Sequence, residues 1–474
     1  MNADAKQTRR ILEKLSQAHA ADPKLEVFGA DSHGYVVHAP ASPQALSDIE
    51  TRLAITMPES YRRFLLEVGN GGDGYNGSAA GPFYGIYGVG DRLERDWLHK
   101  VVAKPCILSP GMSQPDWEAL VASLGLGGDL DDNAYDEALD TLFGGLLPVG
   151  SQGCSIYHGL VVNGPYAGRV VNFDMDLSAP PVFAFESDFL AWYERWLDEV
   201  IAGDLLQKGP SWFGYTRGGL EGELLDGWLD SEDSQMAREH LAGLLSKKRL
   251  SDAALDALVQ HRRNGREHRS LICQIVCKHD HAKAQPLLAE LAAKEPLAFL
   301  QCLHWYARDH APQWKGEVLA VATRITDLET FQFFTYVLEA LPVDPGPILA
   351  SFTGHKQAGI RRQALHALGK VPDRQPHLHC FVAGLGDDDG TVVHAALQAL
   401  KGLKDDSLLP HYRRVAERYP EERDCVLVNL DHRLKEFGIS RAALLRAPAG
   451  AAHGTGLGAV VRYLANQLRR PTAD

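Results

Sequence analysis

Apolar residues recur at helical spacing over most of the chain, and the period shortens in one region before residue 190. Ser42-Pro-Gln-Ala-Leu-Ser-Asp-Ile-Glu reads as an N-cap serine with proline at the first helical position, followed by Leu46, Ile49 and Leu53 on one face. A second helix is predicted from Pro58, with Tyr61, Phe64, Leu65 and Val68 sharing a face and Gly69 ending it. Residues 1–20 predict a further amphipathic helix with Ile11, Leu12 and Leu15 together. Residues 157–185 then form three short β-rich runs, Tyr157–Val162, Gly168–Phe173 and Pro181–Phe185, with turns at Gly164-Pro165 and Ser178–Pro181. A meander sheet is expected, covered by the helices. A closing helix from Glu186 to Ile201 carries Phe189, Trp192, Tyr193, Trp196 and Leu197 on one stripe. Each such aromatic removes about 150–250 Å² from water when buried, so the stripe is read as core and Trp192 as a folding residue.

The back half is different in kind. From about residue 229 the pattern is almost wholly helical, and Ile360-Arg-Arg-Gln-Ala-Leu-His-Ala-Leu-Gly-Lys-Val is self-similar to Val392-Val-His-Ala-Ala-Leu-Gln-Ala-Leu-Lys-Gly-Leu, 32 residues on. Ile360, Ala364, Leu365 and Leu368 in one copy match Val392, Ala396, Leu397 and Leu400 in the other. This resembles the short form of the HEAT repeat, including the acidic turn Asp387-Asp-Asp-Gly390 before the second helix. About three repeats are needed to bury a continuous face, so Met236–Leu245, Ser270–Val276 and Phe331–Leu341 are expected to belong to degenerate copies. Gly203–Gly227, with Gly209-Pro-Ser-Trp-Phe-Gly-Tyr215, reads as a structured connector. The organisation expected is an α+β domain over 1–203, a connector over 204–228, an all-α HEAT-like solenoid domain over 229–440, and a tail over 441–474. In that tail Leu445–Leu457 is a loose link and Ala459–Leu468 a last short helix.

Composition narrows the function. With 45% hydrophobic and 23% charged residues, the chain has the make-up of an ordinary globular protein. Residues 1–205 hold 14 Lys+Arg against 29 Asp+Glu, a net of −15, whereas residues 206–474 hold 34 against 32, a net of +2. Nucleic-acid affinity comes mainly from cations that neutralise phosphates, so the front half is expected to bind no nucleic acid and to attract basic partners instead. Seven cysteines scattered over 474 residues are the opposite of a compact disulfide framework, and reduced thiols are expected. No run of about 18 apolar residues occurs, so no membrane span is expected, and the N-terminus lacks a signal-peptide core. The cytoplasm is the expected location.

Catalytic chemistry finds only fragments. No GxxxxGKS/T loop, HExxH pair or GxSxG elbow is present. Gly69-Asn-Gly-Gly-Asp-Gly74 follows a helix instead of a strand and lacks a lysine, so it is read as a helix-ending turn with positive φ and not as a phosphate cradle. Cys273 and Cys277, with His279 and His281 behind them, have conceivable metal spacing, but their apolar neighbours favour buried small hydrophobes. The same holds for His377, His379 and Cys380 at a helix entry. In the acidic run, Asp131 or Asp132 is expected to cap a helix and Asp129, Asp136, Glu137 and Asp140 to lie on its solvated side. No His or Lys stands near enough in sequence to complete an acid/base pair. An enzyme, a cofactor and a metal site are therefore not expected. A dense negative patch does suit a basic protein, because complementary charge raises the on-rate.

The run Pro58-Glu-Ser-Tyr61-Arg-Arg-Phe64-Leu65, then Val68-Gly-Asn-Gly-Gly72, then Gly81-Pro-Phe-Tyr-Gly-Ile86 resembles the signature of the SUKH superfamily (Smi/Knr type). Leu147-Pro-Val-Gly-Ser-Gln-Gly-Cys154, Gly164 through Asp174, and Phe189 with Trp192, Tyr193 and Trp196 follow in the order expected of that family. Two departures stand out: Asp73–Ala80 is inserted between GNGG and GPFYG, and Ser155 replaces a glycine-rich continuation. The resemblance implies a SUKH-like sheet with packed helices, no catalysis, and a role as a bacterial immunity protein that binds and neutralises a toxin. On that reading the protein-binding residues are Asp73, Asp129, Asp131, Asp132, Asp136, Glu137 and Asp140, and the partner is a basic toxin domain. The alternative is an intracellular scaffold or regulator that binds partners through its helical repeats.

Overall fold

The computed structural model describes residues 3–89, 101–207, 209–261, 268–419 and 425–446. The expected helix Ala459–Leu468 and the link beyond Arg446 lie outside these residues. The chain divides into two compact units, Met1–Ile275 and Val276–Asp474. No described helix is long and apolar enough to cross a membrane.

The first unit is built on a four-stranded antiparallel sheet in meander order: β1 (Leu146–Gly153), β2 (Ile156–Val161), β3 (Val170–Asp174) and β4 (Val182–Phe183). Leu147 pairs with Leu160, His158 with Asn172 and Val171 with Phe183. Strand β1 is not among the three runs expected, because Pro148, Gly150 and Gly153 interrupt its alternation and its register slips at Pro148/Gly150 and Ser151/Gly153. On its outer edge Ile86 bridges to Gly150, where a side chain would run into the Gly85 carbonyl.

Alternation along the strands feeds two cores. Leu147, Val149, Leu160 and Val170 face a cluster that includes Leu46 and Leu53 of α3 (Pro43–Leu53), Tyr61 of α4 (Glu59–Arg63), and Phe189, Trp192, Tyr193 and Trp196 of α7 (Phe189–Ile201). Leu146, Val161, Val171, Phe173 and Phe183 face a second cluster. It holds Trp117 of α5 (Gln114–Ser123) with Ala138 and Leu142 of α6 (Asp132–Leu142). The sheet thus lies between two helical layers. Ser42 caps α3 by accepting from the Ala45 N–H at 3.1 Å, and Asp188 caps α7 through Ala191 at 3.0 Å. The helix begun by α4 runs on into a π-turn, Phe64–Val68, closed by the Gly69 N–H donating to Phe64 O at 3.0 Å.

The N-terminal helix α1 (Ala3–Ala21) buries Thr8, Ile11, Leu15 and Ala18, while Leu12 is 44% exposed, so the face is rotated from the one expected. Its orientation is set by charge: Glu194 of α7 accepts from Gln7 at 3.0 Å, Arg10 at 2.9 Å and Lys14 at 2.9 Å. The connector is ordered against the same body. Phe213 is buried, Asn172 Nδ2 donates to Gly214 O at 3.0 Å, and Arg195 of α7 lies over the Phe213 ring while pairing with Glu186 and Glu199 at 2.8 Å each. Helices α8 (Glu221–Asp230) and α9 (Ser234–Ser246) follow, with the Lys247 ammonium 3.0 Å from Asp204.

The second unit is helical and compatible with HEAT-like repeats. In chain order it contains α12 (His281–Lys294), α13 (Pro296–Tyr306), α14 (Lys315–Val321), α15 (Leu328–Leu338), α16 (Gly346–Ala350), α17 (Ala358–Leu368), α18 (Leu378–Leu385), α19 (Gly390–Ala399), α20 (Leu409–Arg418) and α21 (Cys425–Glu436); α10, α11 and α22 are Asp252–His261, Arg269–His279 and Arg441–Arg446. Helices α12, α14, α16, α18 and α20 each pack on the next one, and α13, α15, α17, α19 and α21 pack in succession as one layer. The two self-similar segments are α17 and α19, and all eight of their matched apolar positions are fully buried. The acidic turn ties copies together: both Asp387 oxygens accept from Arg361, at 2.7 and 2.8 Å, while Arg418 donates to the Asp387 and Asp388 carbonyls. Arg374 likewise reaches the Ala399 carbonyl at 2.7 Å.

Candidate protein-interaction surface

Asp131 is the residue that caps α6, its carboxylate accepting from the Ala134 N–H at 2.9 Å. The helix turns Ala138 and Leu142 into the second core, which leaves Asp129, Asp131, Asp132, Asp136 and Glu137 exposed and Asp140 half-buried. Tyr135, 40% exposed, stands among them. Among the described residues no basic side chain pairs with Asp129, Asp131, Asp132, Asp136 or Glu137. A row of unpaired carboxylates on a rigid, core-anchored helix produces a local negative field that salt screens over about 8–10 Å.

Asp73 belongs elsewhere. It lies in the inserted loop and is 2.7 Å from His38 Nε2, while the next turn is held by the Tyr75 N–H donating to Ser32 Oγ at 2.8 Å. This loop leads into the Ala79–Ile86 bridge at the β1 edge, so six of the seven expected binding residues share one segment and Asp73 does not.

The glycine turn before it serves shape. Gly69 is extended (φ 165°) and needs to be small because a side chain would meet Val37 and the His38 carbonyl. The positive φ falls at Gly71 (71°). Asn70 clamps the turn by accepting from the Val89 N–H at 2.7 Å. Residues 40–195 match the profile of the SMI1 / KNR4 family (SUKH-1). The N-terminal part of the chain is therefore a SUKH domain. No curated protein and no solved structure matches the chain.

Sequence reasoning missed a polar network inside this SUKH domain. Asn172 Oδ1 accepts from His158 Nδ1 and from Gln152 Nε2, each at 2.8 Å, and the Tyr215 hydroxyl donates to Gln152 Oε1 at 3.0 Å. His158 is fully buried between Trp192 and Phe83, and burial pushes its pKa down to about 4, so the ring is neutral and out of reach of any substrate. Nothing in the local sequence announces this, since a histidine on a strand has no periodic signature. A cleft of about 780 Å³ opens between Met57–Arg63 and Gly168, Asp188 and Leu190. Its cations are engaged: Arg62 lies 3.6 Å from Glu50, and Arg63 3.5 Å from Glu67.

The cysteine candidates lie in the core, and His281 stacks on His310 with ring centroids 3.9 Å apart while accepting from the Trp314 indole N–H at 3.2 Å. Cys273, Cys277 and Cys380 are buried, and Cys380 Sγ is 3.3 Å from His379 Nε2. Among the described residues no group of three or more His, Cys, Asp or Glu side chains is placed to hold a metal ion.

Proposed function

We propose that the SUKH domain is a toxin-immunity module that binds a basic protein in the cytoplasm without catalysing a reaction. The SUKH family includes immunity proteins, is generally non-catalytic and points to a protein partner. The reading rests on the exposed, unpaired carboxylates Asp129, Asp132, Asp136 and Glu137 around Tyr135. A toxin domain that acts on a polyanion carries a cationic face, and this helix would occupy it in place of the substrate. Desolvated contact with Tyr135 supplies the apolar anchor, and the carboxylates supply steering and discrimination against acidic proteins.

The test is protection of cells that express the cognate toxin domain, combined with association kinetics of the purified pair. Asp132→Lys with Asp136→Lys should abolish protection and lower the association rate constant on the order of tenfold or more, and raising salt should slow the wild-type association. An unchanged rate in the double variant, with a salt-independent on-rate, would sink the proposal.

A further inference from the structure

The layer formed by α13, α15, α17, α19 and α21 leaves one side of each helix open, because the others face the partner helix and the two layer neighbours. On α13 and α15 that open side is aromatic. Trp305 is 49% and Tyr336 38% exposed, and with the half-buried rings of His304 and Phe333 they form one cluster. Centroids lie 5.1 Å apart for Trp305 and Phe333, 5.8 Å for Phe333 and Tyr336, and 5.0 Å for His304 and Tyr336. Arg308 locks the two helices by donating to the Tyr336 carbonyl at 3.1 Å and to His304 Nδ1 at 3.2 Å. Large rings held open on rigid helices are the raw material of an interaction hot spot, since little ordering entropy remains to be lost when they are covered.

The next helix in the layer changes the character of the face. Arg362 and His366 on α17, and Lys370 in the turn that follows it, recur every fourth residue and are exposed. Among the described residues no carboxylate pairs with Arg362 or Lys370. Of the acids on the aromatic part of the face, Glu339 pairs with Arg308 at 3.4 Å, while Glu329 accepts from the Gln301 amide at 3.2 Å and keeps its charge. The open charge at Arg362 and Lys370 is positive, the opposite of the surface on α6, and α17 packs beside α15, which carries Phe333 and Tyr336.

We propose that this face binds an acidic protein segment: an aromatic or aliphatic anchor covers Trp305, Phe333 and Tyr336, and carboxylates downstream of it engage Arg362 and Lys370. A nucleic acid is disfavoured because two open cations release few counterions. The proposal is independent of toxin binding by the SUKH domain, which uses the opposite charge.

The test uses the full chain and two fluorescein-labelled twelve-residue peptides. One has aspartate and glutamate around a central Leu-Trp pair; the other has lysine and arginine around the same pair. Fluorescence anisotropy should show saturable binding of the acidic peptide, with a Kd on the order of 10–100 μM. Trp305→Ala, and separately Arg362→Glu with Lys370→Glu, should each weaken it at least tenfold while thermal melts stay at the wild-type position, as expected of exposed side chains. Three outcomes overturn the proposal: no saturable binding of the acidic peptide, binding that neither variant weakens, or a single-stranded oligonucleotide whose affinity falls with Trp305→Ala in place of the peptide's.

Discussion

Replacing Gly72 with alanine asks whether the GNGG turn is there for packing. Gly72 has no positive φ, so the backbone can carry a side chain. The space cannot: a Cβ would sit 2.7 Å from Ala79 Cα, 2.7 Å from Ser78 O and 2.8 Å from Val36 O, all of them main chain. Ordinary carbon contacts lie at about 3.5–4.0 Å, so two segments would each have to yield by several tenths of an ångström. Both are tied down. The Ala80 N–H donates to Val36 O at 2.8 Å, the Gly74 N–H to Ser78 O at 2.9 Å and the Gly72 N–H to Gly77 O at 2.9 Å. Overpacking costs about 1–3 kcal/mol and one weakened buried hydrogen bond about another 1 kcal/mol, so Gly72→Ala should destabilise the SUKH domain by about 2–4 kcal/mol. For a body of this size that is a fall of roughly 5–15 °C in Tm. Gly77→Ala is the control, because Gly77 has φ +74° and open space around it; only the left-handed backbone cost of about 1–2 kcal/mol applies. Urea unfolding, followed by near-ultraviolet circular dichroism of the buried Trp117, Trp192 and Trp196, measures both. A Gly72→Ala protein within 0.5 kcal/mol of wild type, or a Gly77→Ala protein hurt as badly, would refute the steric argument.

Trp192→Ala removes a fully buried ring packed against His158, Phe189 and Phe213, and should cost about 3–5 kcal/mol in the same unfolding assay. Burial lowers the pKa of both His33 and His158 to about 4 from an ordinary 6.5. The unfolded chain therefore binds more protons than the native one between those values, so stability is complete above about pH 6.5 and falls as the pH drops toward 4, by up to about 2–3 kcal/mol per pH unit for two groups. Urea midpoints collected from pH 4.5 to 7.5 read this slope; a midpoint that rises on acidification contradicts it. In the repeats, Arg361→Ala removes the paired hydrogen bonds to Asp387, each oxygen of which then faces a half-buried site without its cation. A loss of about 1–2 kcal/mol is expected, with faster hydrogen exchange in α17 and α19 as the local readout.

The residues that sequence determined are those whose neighbours in the chain carry the information. Ser42-Pro43 starts α3, Asp131 starts α6, and the stripe on α7 falls where the 3.6-residue period puts it. The match between α17 and α19 was equally visible, because a repeat buries the same positions against the same kind of neighbour. The SUKH signature was legible for a related reason, since its glycines mark places where main chain meets main chain. Tertiary structure decided the rest. Strand β1 exists because Leu160 and Ile86 lie on either side of it, although Pro148 and Gly150 hide its alternation. Leu12 faces solvent because Glu194, 187 residues from Gln7, gathers Gln7, Arg10 and Lys14 and so turns α1 about its axis. Of the seven acidic residues only six share a segment, and the aromatic cluster on α13 and α15 joins residues about thirty apart. Periodicity within one element follows from local backbone geometry, which the sequence states directly; which elements meet, and which faces they leave open, depends on long-range packing that no local pattern contains.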